Sequence, residues 1–228
     1  MMKGFLFDYG GTLDTGGCHW GKMFWHAYQS VVVPVSERQF REAYVYAERT
    51  LGRNPFILPD FTFRRTLETK LNLQLEYLNT LSPEGTAAVD ASLLTDILYS
   101  AVLRHTAHAR EVLRKLDSPK VLVSNFYGNM PTVLREFGLD GLFLHIVESA
   151  VVGVRQPDPR IFLLGVDALE LQPEEVAVVG DSMDKDIIPA KRVGCQTIWL
   201  RGEPWTDDAV DVSAADRIID NLSELVTT

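Results

Sequence analysis

Little in this chain points to a secreted or membrane-bound protein. Only 2 cysteines occur in 228 residues, Cys18 and Cys195, too few for a disulfide framework. Reduced thiols, buried or half-buried, are expected. No segment approaches the ~20 apolar residues of a membrane span. The early apolar stretch Gly4-Phe5-Leu6-Phe7 is shorter than a signal-peptide core. A reduced, cytoplasmic setting with no membrane partner is the expectation. A basic block is also missing: Lys and Arg number 22 against 31 Asp and Glu, for a net charge of −9. Nucleic-acid surfaces need clustered cations to meet phosphates, so no nucleic-acid partner is expected. An acidic chain that takes a phosphorylated ligand must offset repulsion with a metal or a local patch of donors. Internal repeats and low-complexity tracts are absent as well.

What remains is an ordinary globular composition, 46% hydrophobic and 23% charged. The length suits one large domain, or a core with a substantial insertion. Residues 3–8 read as a buried strand. From about residue 15 to 100 the periodicity is helical, with no strong strand. A helix over 19–33 carries Phe24, Trp25 and Tyr28. A second over 36–51 opens on Ser36 as N-cap. A third over 61–81 places Leu67, Leu71, Leu75 and Leu78 on one stripe. Ser82-Pro83-Glu84 reads as a further helix start. After about residue 105 short apolar runs alternate with helices. Strands are predicted over 120–124, 145–149, 176–180, 196–200 and 217–220. Helices are predicted over 107–116, 129–137, 159–169 and 184–193, with one more at the end of the chain. This alternation predicts an α/β, Rossmann-like parallel sheet with helices on both faces. The division is a core of residues 1–14 and 107–228, with an all-helical insertion over 15–106.

Three polar residues fall where such strands end: Asp8, Ser124 and Asp181. Ligands bind beyond the carboxyl ends of parallel strands. Asp8 opens the turn Asp8-Tyr9-Gly10-Gly11-Thr12-Leu13, where glycines allow close approach, so its carboxylate is a ready nucleophile. Asp8 and Asp181 without an adjacent base invite a hard divalent cation, most simply Mg²⁺. The Ser124 hydroxyl and turn N–H groups could hold phosphoryl oxygens. The chemistry indicated is phosphoryl transfer to a carboxylate.

Four segments together resemble the haloacid dehalogenase superfamily, in its phosphatase-like branch with a helical cap after the first strand. They are Asp8-Tyr9-Gly10-Gly11-Thr12-Leu13, Val121-Leu122-Val123-Ser124-Asn125, Gly153 to Phe162 with Arg155-Gln156-Pro157-Asp158-Pro159, and Val179-Gly180-Asp181-Ser182 leading to Asp186. The resemblance implies that Asp8 attacks phosphorus and is also a metal ligand. It implies that the Gly10 carbonyl and Asp181 complete the protein's share of a Mg²⁺ site. Asp186 would orient Asp181 or a bound water, with Asp184 as a competitor. Ser124 would hold the phosphoryl group, with Gly11, Thr12 and Asn125 beside it. His19 and Trp20 fall in the segment that reaches toward the cap. Cap closure implies hinges near 15–20 and 100–106. The substrate would be a small phosphorylated metabolite.

Two positions depart from the family's phosphatase pattern. Gly10 stands where an aspartate serves as general acid and base. Gln156 stands where a lysine offsets charge, and Arg155 is the candidate substitute. Asp14 could replace the acid if the turn folds back. A weak or specialised phosphatase is therefore expected. The alternatives are a pseudoenzyme that binds a phosphorylated ligand, and a phosphonatase-like hydrolase using Lys22 or Lys70 for a Schiff base. A true dehalogenase would carry its aromatic at position 10, whereas here Tyr9 is the aromatic. Asp181 is also readable as a helix N-cap, Asp158 as a turn residue, and His105 with His108 as one solvated helix face. Phe24, Trp25 and Tyr28 are read as the core of the insertion.

Overall fold

The computed structural model describes residues 2–81, 89–206 and 208–226. The first apolar run forms β1 (Gly4–Phe7), and the later runs form β2 (Lys120–Ser124), β3 (His145–Glu148), β4 (Val176–Gly180), β5 (Gln196–Leu200) and β6 (Arg217–Ile219). They make one six-stranded sheet in the order β3-β2-β1-β4-β5-β6, every pairing parallel. β1 is central, with Phe7 level with Leu122 of β2 and Val179 of β4. The chain leaves β1 toward one edge and returns for β4 on the other side. That reversal is where a parallel sheet opens a crevice at its carboxyl end.

Both faces of the sheet are covered, as runs apolar at consecutive positions demand. Phe5, Phe7, Leu122, Ala177 and Val179 face one apolar cluster, and Leu6, Val121, Val123, Val176 and Val178 face the other. The second cluster includes Ile161, Phe162 and Val166, which project from a helix over Arg160–Leu169. The first runs without a break into the helices between β1 and β2, where Phe24, Tyr28, Phe40, Leu67, Leu94 and Leu98 belong to it. The Rossmann-like α/β reading therefore holds.

Among the described residues, four helices lie between β1 and β2: α1 (Trp20–Ser30), α2 (Glu37–Arg53), α3 (Phe63–Leu81) and α4 (Ala91–Lys115). No strand occurs there among the described residues. Ser36 caps α2 in a reciprocal box with Gln39. Phe24 and Tyr28 are buried among Phe40 and Tyr44, and Trp25 stacks against Phe40. On α3 the buried row is Phe63, Thr66, Leu67, Lys70, Leu71, Gln74 and Leu78, and Leu75, half-buried, packs against the same apolar cluster at its edge. The helix start expected at Ser82-Pro83-Glu84 lies outside the described residues.

Several expectations need correction. The helix predicted over 107–116 is the second half of α4, which runs 25 residues without a break. Residues 100–106 therefore contain no hinge-like interruption. The physical reason is a continuous buried row of Leu94, Leu98, Val102, Thr106, Ala109 and Val112, with no proline or glycine between Ala91 and Lys115. The helix expected over 184–193 begins as a π-helical turn at Met183–Ile187 and becomes α-helical only over Ile188–Arg192. The last element is a 3₁₀ turn over Leu222–Leu225 rather than a helix. His105 is half-buried, with its Nδ1 2.7 Å from where a Cβ would stand on Gly16, and His108 bonds Asn221 at 2.9 Å. They do not form one free solvated face.

Candidate active site

Asp8 follows β1 directly, and its N–H donates to the Val179 carbonyl at 3.0 Å. That bond pins the carboxylate at the end of the central strand. Asp181 follows β4 in the same way, and its carbonyl accepts from the Trp199 indole at 2.7 Å. Thr12 joins the two. Its Oγ1 lies 3.2 Å from Asp8 Oδ2, 3.2 Å from Asp181 Oδ1, and accepts from the Asp181 N–H at 3.0 Å. The π-helical turn brings in Asp186. One of its oxygens accepts from the Ser182 N–H at 3.0 Å, the other from Gln156 Nε2 at 2.7 Å. Asp8, Asp181 and Asp186 each place a carboxylate oxygen within 4.8 Å of the others.

These acids strain one another electrostatically. Burial, then the charges of Asp186 and Asp181, push the Asp8 carboxyl well above the usual carboxylate range. Burial and Asp181 push Asp186 up to about 8. Burial raises Asp181 to about 6. The side chain that reaches between them is the neutral amide of Gln156, which also stands 3.5 Å from Asp8 Oδ1. Three carboxylates, two buried and that of Asp181 half-buried, are oxygen donors only and fit a hard divalent cation of the Mg²⁺ type. Asp186 has both oxygens already accepting hydrogen bonds, which suits it to a supporting place behind Asp8 and Asp181.

The carboxylates open onto a cavity of about 200 Å³. Its walls include Gly10, Ser124, Asn125, Arg155 and Gln156 from the sheet end, and His19, Trp20, Tyr44, Glu48, Phe63 and Lys70 from the helices. Ser124 is buried at the end of β2. Asn125 is committed to the backbone of Gln156: its Nδ2 donates to the carbonyl and its Oδ1 accepts from the N–H, both at 2.9 Å. This reciprocal pair fixes the segment that carries Arg155 and Gln156. Arg155 itself is exposed at the cavity rim.

Not every expected group faces the cavity. Gly11 and Thr12 do not line it. The Gly11 N–H is taken by Asp14 Oδ1 at 2.7 Å, and Thr12 Oγ1 bridges carboxylates. The turn does fold back through Asp14, but its other oxygen accepts from Trp20 Nε1 at 2.9 Å and its side chain is fully buried. Asp14 is thus a clamp on the turn, and burial raises it to about 7. Trp20 borders the space an acid at position 10 would use without filling it: its Nε1, the nearest atom, lies 4.0 Å from where a Cβ would stand on Gly10. Asp184 is exposed and lies outside the carboxylate cluster. Ser182, not Asp181, is the N-cap of the π-helical turn. Asp158 pairs with Arg160 in the turn, as expected of a structural residue.

Two wall residues, Glu48 and Tyr127, escaped the sequence reading, which weighed Lys70 only as a Schiff-base lysine. Glu48, Lys70 and Tyr127 come together from separate elements, with Lys70 Nζ 2.8 Å from Glu48 Oε1 and the Tyr127 hydroxyl donating to Glu48 Oε2 at 3.0 Å. The available signal was Lys70 itself, a charge on the buried row of α3.

Relatives of known kind share this arrangement of chain. The chain is 32% identical over 161 residues to the glyceraldehyde 3-phosphate phosphatase of Pyrococcus furiosus, a match covering 68% of this chain. It spans 64% of the length of that curated relative and 43% of the Methanopyrus kandleri phosphatase of the same name. The solved L-2-haloacid dehalogenase from Xanthobacter autotrophicus has a TM-score of 0.61 at 18% identity, over 99% of this chain and 97% of that one. The HAD phosphatase from Thermococcus onnurineus has a TM-score of 0.53 at 21% identity, over 98% and 96%. At those identities the two structures speak for the fold alone. A haloacid dehalogenase-like hydrolase family model matches residues 2–194, which span every strand up to β4 and all three clustered carboxylates. The chain belongs to the haloacid dehalogenase-like hydrolase family.

Proposed function

We propose that this chain is a Mg²⁺-dependent phosphatase that acts on a small phosphorylated metabolite through an aspartyl-phosphate on Asp8. The observation that carries the reading is the meeting of Asp8, Asp181 and Asp186 within 4.8 Å on a cavity wall shared with Ser124. Phosphatase-named relatives support it.

Asp8 attacks phosphorus, and the bond from phosphorus to the leaving oxygen breaks. Water then attacks the aspartyl-phosphate, releasing phosphate and restoring Asp8. Ser124 holds a phosphoryl oxygen. Mg²⁺ would be held by Asp8, Asp181 and the Gly10 carbonyl, with Asp186 behind them, and would supply positive charge to the carboxylates and phosphoryl oxygens. Gln156 keeps Asp186 and Asp8 in register without supplying charge, and Arg155 supplies charge from the rim. His19 and Trp20 exclude water from the leaving-group side. Residues 15–106 serve as a cap over a core of 1–14 and 107–228, in a cytoplasmic protein.

No side chain at position 10 donates a proton to the leaving group. General acid catalysis contributes ~10²–10⁴ in rate, and one electrostatic donor about 10²–10³. Turnover is therefore weak or restricted to good leaving groups. Phosphate release from p-nitrophenyl phosphate, with Mg²⁺ and with EDTA, tests the reading. Asp8→Asn should abolish release; unchanged turnover in that variant excludes the mechanism.

Gly10 and Gln156 favour one second reading, a pseudoenzyme that binds a phosphorylated ligand without turnover. Its signature is a Mg²⁺-dependent thermal shift with phosphorylated metabolites and no phosphate release from any of them. The phosphonatase alternative finds less support. Burial alone would lower the Lys70 ammonium, but the charge of Glu48 overrides it and holds Lys70 protonated, unsuited to attack a carbonyl. Lys22 is not among the cavity-lining residues.

A further inference from the structure

The carboxylate chemistry leaves one buried charge on the cavity wall without a task. Lys70 projects from α3 in a row that is otherwise apolar or neutral. Its side chain is 11% exposed and borders the cavity. The ammonium sits between two aromatic faces, 5.1 Å from the Tyr127 ring centroid and 5.9 Å from that of Trp20.

Stability alone does not explain this lysine. A buried ion pair is often no more stable than well-packed apolar residues of the same size. A leucine would continue the α3 stripe. Glu48 Oε2 accepts from Tyr127, while the buried Oε1 has the Lys70 ion pair at 2.8 Å and no further hydrogen-bond partner. The ammonium does have capacity left. It carries three N–H donors, and Glu48 and Tyr127 take at most two of them. The remaining donor borders a cavity that Asp8 and Ser124 also line. A donor already desolvated and held in place loses little freedom on binding, so an acceptor there gains affinity.

The sign of the pair narrows the acceptor. Glu48 neutralises most of the Lys70 charge at 2.8 Å, and a ligand carboxylate would meet the field of Glu48 as well. An uncharged hydroxyl or carbonyl oxygen suits the site better. A cavity of about 200 Å³ suits a small organic part.

We propose that Lys70, held by Glu48 and Tyr127, is a specificity residue that donates to an uncharged oxygen on the organic part of the substrate. The substrate class is then small phosphate esters of polyols or hydroxycarbonyl compounds. This inference rests on the phosphatase reading above.

The test compares glycerol 1-phosphate with n-propyl phosphate, which lacks the extra oxygens, and with 2-phosphoglycolate, which carries a carboxylate. p-Nitrophenyl phosphate serves as the reference. The wild type should favour glycerol phosphate over propyl phosphate by at least about tenfold in kcat/KM, as a site built for a hydroxyl rejects its analogue. Lys70→Met should remove that preference, mainly through KM, and leave propyl phosphate within about threefold. Lys70→Arg should restore part of it. Lys70→Met combined with Glu48→Gln guards against misfolding, because no unpaired charge is left buried. An equal fall for both esters assigns Lys70 a structural role and overturns the inference. So does no fall for either, or a preference for phosphoglycolate. Wild-type protein active on p-nitrophenyl phosphate but indifferent to the extra oxygens overturns this inference alone. Protein inert toward every ester overturns the phosphatase reading and this inference together.

Discussion

Gln156 and Asp186 are joined by a hydrogen bond of 2.7 Å, which sets a neutral amide among three clustered carboxylates. The amide satisfies one oxygen but does nothing to offset the charge that raises Asp8 and Asp186. Gln156→Lys should supply that offset. In EDTA the variant should melt higher than the wild type, by about 2–4 °C per kcal/mol gained in a chain of this size. Phosphate release should rise by about tenfold or more. Differential scanning fluorimetry and a phosphate assay read both, and a lower melting temperature would contradict the electrostatic argument.

Gly10 has room for a side chain, since a Cβ there meets nothing nearer than Trp20 Nε1 at 4.0 Å. Gly10→Asp should place an acid beside the leaving oxygen. The gain should be largest for alkyl phosphates, whose leaving groups need the proton, and small for p-nitrophenyl phosphate. Rates across a series of esters should depend less steeply on leaving-group pKa in the variant, with alkyl esters gaining at least about tenfold. A uniform change across the series would count against the missing-acid explanation.

Gly11 cannot be exchanged at so low a cost. Its φ is +106°, and a Cβ would stand 2.4 Å from the Asp181 carboxylate oxygens. Gly11→Ala should therefore displace Asp181 as well as strain the turn, the strain alone costing about 1–2 kcal/mol. The expected result is loss of any Mg²⁺-dependent thermal shift, with the chain still folded by circular dichroism. Retention of the full shift would separate Asp181 from the metal.

His19 predicts an acid-side loss of stability. Burial, then the charge of Lys185, lowers its imidazole from 6.5 to about 4. Its Nδ1 accepts from the Gly21 N–H at 3.0 Å as the cap of α1, which requires the unprotonated nitrogen. Above pH 6.5 neither state holds the proton, so the group is neutral in the balance. As pH falls from 6.5 toward about 4, the unfolded chain binds a proton that the folded chain refuses, and unfolding is favoured. His19→Asn keeps a capping side chain without this titration. Its melting temperature should fall less steeply than the wild type's across that window, and parallel curves would remove His19 as the cause.

The sheet was legible because its strands are short runs of consecutive apolar residues closed by polar ones. Asp8, Ser124 and Asp181 announced themselves by standing at those closures. Other relationships were not legible, because they depend on directions that letters do not carry. Asp14 lies within the first motif, yet its carboxylate turns back to Gly11 and Trp20 rather than toward the cavity. Thr12 reads as a phosphate-binding hydroxyl but spends its oxygen between two acids. Lys70 stood out only as a candidate Schiff-base lysine, since its partners Glu48 and Tyr127 lie on other elements. The break placed near residue 106 followed the switch of texture after about residue 105. The buried row of α4 passes straight through that change.

That unbroken α4 gives the helical insertion two unlike tethers. The entry, after Asp14, is a turn with two positive-φ glycines, Gly16 and Gly17. The exit is a rod about 37 Å long by helical rise, whose far half is already anchored against the sheet. Between a short turn and a stiff spar, any motion of the body they hold would be a swing rather than a slide. Rocking of the insertion would thus turn about the root of α4, and a small tilt there would be magnified at the wall that carries Glu48 and Lys70.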